Sequence, residues 1–200
     1  MKELFIILIC CIFFSCHQDK ATKKITSYNP SSEIEQVIYN DTAYVLYSRA
    51  KEYSEKLEYD SAKVLLQASL QKEKNPIIYN ELGIIEAALN NCDKAIEYYH
   101  EGIALDSLYW PSSINLVRCY LKQNNISKSR GVLIKMIEDC KSEYWTANAY
   151  MYLALIQYNF DRNCNTTMRS LEKAKILKDD SVLSKQYTDF YVKARTDCSN

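Results

Sequence analysis

Cysteine and histidine are the residues of this chain best suited to chemistry, and their spacing says first what the chain does not do. There are eight cysteines but only two histidines in 200 residues. No Cys-x-x-Cys pair and no His-Glu-x-x-His segment occurs, so the ligand spacings of zinc sites are missing. Glu97 and His100 would share one face of a helix, but a single such pair lacks the further ligands a metal needs. A surface hydrogen bond is the ordinary role for that pair. Three scattered glycines cannot form a phosphate-cradling loop. A Ser-His-Asp or Cys-His nucleophile set would have to be built on His100. No catalytic residue, metal or cofactor is expected, and the chain does not read as an enzyme.

Cys16 stands apart by its position. Lys2 supplies a positive charge, residues 4–14 form an apolar run, and Ser15 places a small residue directly before Cys16. The run is well short of the about 20 residues that a bilayer-spanning helix needs, so it reads as a signal peptide. Its end, Phe13-Phe14-Ser15-Cys16, resembles the lipobox of bacterial lipoproteins, although Phe14 departs from the aliphatic or small residue usual there. The resemblance implies cleavage before Cys16 and acylation of that cysteine. Several acyl chains make a durable anchor where one binds marginally. The implied location is the bacterial cell envelope, expected at the outer membrane on its periplasmic or surface face. An ordinary signal peptide cut elsewhere, or an uncleaved anchor, is the alternative. The expected division is a signal peptide over 1–15, a polar flexible tether over 16–32 containing Pro30, and a folded domain over 33–200.

That domain must be helical. Hydrophobic residues make up 48% of the chain, with only three Gly and three Pro, which suits helices joined by short turns. Lys plus Arg equals Asp plus Glu at 25 each, so no strong positive field exists to recruit nucleic acid. Seventeen tyrosines are expected mainly as packing rings with the phenol tip at the surface, a few of them lining a groove.

A period then appears. Ala62, Ala95, Ser129 and Thr167 recur at spacings of 33, 34 and 38, each followed four residues later by a large residue: Leu66, Tyr99, Leu133 and Leu171. Two residues before each stands Asp60, Asp93, Ser127 or Asn165, types that cap helix starts. Ala50, Gly83, Val117 and Ala154 take a matching small-residue site upstream, with Tyr53 and Tyr120 three residues further on and Glu86 replacing the aromatic in the second unit. The stretch 75–106 carries the pattern most fully: Pro76 suits a first turn, Asn90 and Asn91 break the helix, and Asp93 would cap the next. Over about residues 43–178 this layout resembles tetratricopeptide (TPR) repeats. The resemblance implies an all-α, right-handed solenoid of about four helical hairpins. Asp179, Asp180 and Ser181 would cap a final helix over about 182–196 that covers the last repeat. A short helix over 33–39, an insertion near 138–144 or near Asn163, and aromatic staples at Tyr109–Trp110 and Tyr144–Trp145 are further expectations.

In a TPR stack the turn inside one hairpin lies where the next repeat's first helix ends. On that basis Cys92 with Cys119, and Cys164 with Cys198, are candidate disulfides, with Cys140 left over; buried reduced thiols are the alternative. The resemblance also implies that first helices line a concave groove. Its ligand-facing positions fall on Tyr44, Tyr47, Lys51, Asn80, Ile84, Arg118, Lys122, Asn148, Met151 and Tyr158. Lys51, Arg118 and Lys122 would take a carboxylate or acidic peptide, with Asn80 and Asn148 bonding its backbone. A solvated helix face is the bland alternative. The chain is thus expected to be a non-catalytic protein-interaction scaffold or assembly factor, similar in plan to small TPR lipoproteins that assist outer-membrane assembly or act as pilotins. A glycan- or ligand-capturing lipoprotein of a nutrient-uptake system is the second reading, with Trp110 and Trp145 as reporters.

Overall fold

The computed structural model describes residues 37–199, which form nine α-helices in hairpin succession. The expected signal peptide, Cys16 and the expected tether lie outside the described residues. The helices are α1 (Asp41–Glu55), α2 (Tyr59–Lys72), α3 (Pro76–Ala88), α4 (Cys92–Leu105), α5 (Trp110–Lys122), α6 (Ile126–Asp139), α7 (Glu143–Ile156), α8 (Cys164–Lys173) and α9 (Ser184–Cys198). A π turn (Gln157–Asp161) extends α7, and a 3-10 turn (Lys175–Asp179) follows α8. No described helix is long and apolar enough to cross a membrane.

Asparagine starts many of these helices. Asn40, Asn75, Asn125 and Asn163 accept hydrogen bonds from the backbone N–H of Ala43, Ile77, Lys128 and Thr166, and Pro76 fills the first position of α3. Each second helix is entered through one residue of left-handed backbone: Leu57, Asn90, Asn124 and Arg162, with φ from 51° to 64°. That residue ends the first helix and turns the chain, so the caps sit at Glu58, Asn91, Asn125 and Asn163. Asp60, Asp93, Ser127 and Asn165 are therefore not the caps but lie one turn-position inside, where the two aspartates face the positive end of the helix.

Packing follows the repeat. Ala62, Ala95, Ser129 and Thr167 are sealed between helices, as are Leu66, Tyr99, Leu133 and Leu171. Polar members of the small-residue site are neutralised locally, with the Thr167 hydroxyl donating to Asn163 O at 2.7 Å and that of Ser129 to Asn125 O at 3.1 Å. Glu86, at the site occupied elsewhere by an aromatic ring, is 1% exposed. Lys63 of α2 reaches it at 2.7 Å, and Asn91 donates to its other oxygen at 3.1 Å. A buried charge survives only with such pairing.

The core is a chain of four clusters rather than one nucleus. Helices pack on their sequence neighbours, while α5 also touches α3 on one side and α7 on the other, making a wall of first helices. Three expectations need correction. The 37–39 stretch is not helical; Val37 and Ile38 are buried and the Val37 carbonyl accepts from Asn75 Nδ2 at 2.8 Å. Tyr144 and Trp145 lie inside the first turn of α7, edge to face with each other at 5.0 Å, because α7 begins a turn early relative to Ala154. That extra turn carries most of the longer last period, and the π turn carries the rest, as single-residue insertions in helices do. Finally, α9 starts after Leu183, with Asp180 Oδ1 accepting from the N–H of Val182 and Leu183.

Candidate interaction groove

The wall of first helices presents a polar ladder whose rungs join one repeat to the next. Lys51 of α1 pairs with Glu81 of α3 at 2.9 Å. Asn80 of α3 accepts from Asn115 of α5 at 3.0 Å and from the Ser112 hydroxyl at 3.4 Å. Asn115 in turn accepts from Arg118 at 3.3 Å, and Lys122 donates to Asn90 at 2.6 Å. Arg118 also lies near Tyr99 and near Tyr152 of α7: burial raises both phenols, and the guanidinium opposes it.

Between α3 and α5 the ladder borders a cavity of about 320 Å³ lined by Ile84, Ala87, Ala88, Cys92, Tyr99, Asn115, Arg118, Cys119 and Lys122. Its lining combines aliphatic side chains, two exposed cations and two thiols. Cys92 and Cys119, expected as a bridge, are free thiols here, 7% and 3% exposed. Burial, followed by a hydrogen bond with Cys92, pushes the Cys119 thiol up to about 12. Cys140 is also free, its Sγ 3.6 Å from the Ser142 carbonyl. Cys164 and Cys198 are joined, their Cα atoms 5.5 Å apart, tying the start of α8 to the end of α9.

Of the ten groove positions read from the sequence, Ile84, Arg118 and Lys122 meet at this cavity. Tyr47, Asn80, Asn148 and Met151 are buried. Tyr47 lies in the first core cluster, where burial and the neighbouring Glu81 raise its phenol well above its ordinary range, and Asn148 donates to the Tyr144 carbonyl at 3.0 Å. Tyr44 is half-buried against the same cluster as Tyr47. Tyr158 falls in the π turn, hydrogen-bonds Asp197 and meets Phe190 edge to face at 5.5 Å, so it faces α9. His100 stands off the groove, with Nε2 3.1 Å from the Tyr120 hydroxyl. Sequence reasoning passed over Asn115, which continues the Arg118–Lys122 face one turn back, and Glu81, whose lysine partner is a whole repeat away.

No protein-family model matches the sequence, and no curated protein does either. Solved structures are similar in shape. Human IFIT1, solved as a dimer with PPP-AAAA, superimposes with a TM-score of 0.69 at 17% identity over 76% of this chain, which spans 38% of IFIT1. PilF of Pseudomonas aeruginosa gives a TM-score of 0.61 at 16% identity, covering 77% of each chain. YrrB, described as a TPR protein with an unusual peptide-binding site, gives 0.57 at 17% identity over 74% of each. At these identities the likeness is one of fold: the described residues form a TPR-type solenoid of four helical hairpins closed by a ninth helix.

Proposed function

We propose that the chain is a non-catalytic scaffold of a bacterial envelope, held to lipid through Cys16, which takes an extended segment of a partner protein across α3 and α5. The observation that carries this reading is the cavity between those helices, with an aliphatic wall at Ile84, Ala87 and Ala88 and two exposed cations at its rim. An acidic side chain would meet Arg118 and Lys122 while a neighbouring apolar side chain fills the cavity. Lys51 contributes less than its exposure suggests, since Glu81 already holds it at 2.9 Å. The peptide-binding site named for YrrB supports the choice of ligand class, and the apolar run over 4–14 followed by Ser15-Cys16 supports the anchor.

Crosslinked capture from native envelope, comparing wild type with R118E/K122E, tests the groove. A protein recovered by wild type and lost with a variant of unchanged helical content is the expected result. Equal recovery, or none, removes the groove, and titration with glycans followed by tryptophan emission then tests the ligand-capture alternative. Separately, Cys16→Ser should release the chain from the membrane fraction; retention would end the lipid-anchor reading.

A further inference from the structure

Cys92 and Cys164 are repeat equivalents, each the first residue of a second helix. Cys164 is bonded to Cys198 on the helix that follows its hairpin, and Cys92 likewise faces Cys119 on the helix that follows its own. One pair is therefore closed and the other open. They differ in surroundings: both cysteines of the open pair line the groove cavity, together with Ala88, Arg118 and Lys122.

We infer that Cys92 and Cys119 form a reversible dithiol, oxidised by thiol–disulfide exchange with small organic disulfides that enter the groove cavity. Cys119 stays protonated at neutral pH, so the more accessible Cys92 reacts first. Its sulfur attacks the disulfide, forms a mixed disulfide and releases one thiol. Modification of Cys92 removes the hydrogen bond that helps hold the proton on Cys119, leaving burial as the main opposing cause. Cys119 then attacks the Cys92 sulfur, its proton passing to the second leaving thiolate. Two protons and two electrons from the protein thus reduce one disulfide to two thiols. The product ties α4 to α5, the helix that carries Arg118 and Lys122, so the groove is set by the redox poise around it. That consequence rests on the groove reading; the thiol chemistry does not.

The test needs no partner. Purified wild-type, C92S and C119S chains are equilibrated across ratios of reduced to oxidised glutathione, acid-quenched, alkylated and mapped by mass spectrometry. In wild type the Cys92 and Cys119 peptides should pass together from two alkylated thiols to one crosslinked species. C119S should accumulate glutathione on Cys92, and C92S should leave Cys119 unmodified. Wild type alone decides if a variant does not fold. Alkylation of both thiols at every ratio, glutathione retained on wild-type Cys92, or a crosslink to Cys140 overturns the proposal. Failure of partner capture with R118E/K122E bears only on the groove.

Discussion

Gly83 and Tyr99 compete for one volume: a Cβ on Gly83 would stand 2.3 Å from Cε1 of the Tyr99 ring. In the other hairpins the corresponding pairs are Ala50 with Leu66, Val117 with Leu133 and Ala154 with Leu171, all buried. The second hairpin thus places its large ring against its smallest partner. Alanine in a helix interior ordinarily stabilises relative to glycine by roughly 1 kcal/mol. Here overpacking reverses the sign, and Gly83→Ala should destabilise by roughly 1–3 kcal/mol. Adding Tyr99→Leu should restore part of that loss, as a double-mutant cycle in urea would show. Additive effects would mean that the ring does not fill the glycine site.

Leu57 is a bulky residue with φ of 63°, where two equivalent turns use Asn90 and Asn124. It is 69% exposed, so its side chain contributes little packing. Leu57→Asn should stabilise by about 1 kcal/mol by easing the left-handed strain. A lower urea midpoint for this variant would show that Leu57 makes contacts worth more than the strain.

The linkage at alkaline pH has one sign for several groups. Burial raises Tyr47 and Tyr99 and pushes Cys119 up to about 12, so the folded state keeps protons that the unfolded chain releases. The hydrogen bond to Glu86 raises Lys63, with the same consequence. Stability should be full below about pH 8.5, the ordinary thiol value, then fall as pH passes the ordinary tyrosine and lysine values near 10. Urea midpoints at about pH 8, 9.5 and 11 would show a progressive decline. A constant midpoint would mean that these groups titrate alike in both states.

The bridge from Cys164 to Cys198 spans 34 residues. Removing it with Cys198→Ser should cost about 3–4 kcal/mol through the freed unfolded chain. Proteolysis should then reach α9 before α1–α6, since α9 packs chiefly on α8 and the 3-10 turn before it. Cleavage beginning elsewhere would assign the last helix a more independent hold.

The hairpin register was legible because it depends on short-range spacing: a small residue, a large one four later, and a turn between them. Cap positions were less so. Aspartate or asparagine serves as well in a first turn as at a cap, and the left-handed residue that decides between them can be as unremarked as Leu57. The groove was least legible. Lys51 reads as a free cation until the fold brings Glu81 to it, and Asn80 reads as a surface amide until Ser112 and Asn115 close over it. Such partners sit one repeat away, where no local pattern announces them. Each cysteine pair sets the start of a second helix against the helix that follows, yet only the pair at α8 and α9 is joined.

The bond at the end of the stack also decides how the protein bears tension. A pull along the chain toward its C-terminus crosses from Cys164 to Cys198 through sulfur, so residues 165–197 lie in a side loop that carries no load. With Cys92 and Cys119 reduced, the hairpins before it have no such shunt and are held by packing and side-chain pairs between neighbours. Extension of residues 37–199 would therefore consume α1 to α7 and stop at a covalent block, short of the full contour of that segment.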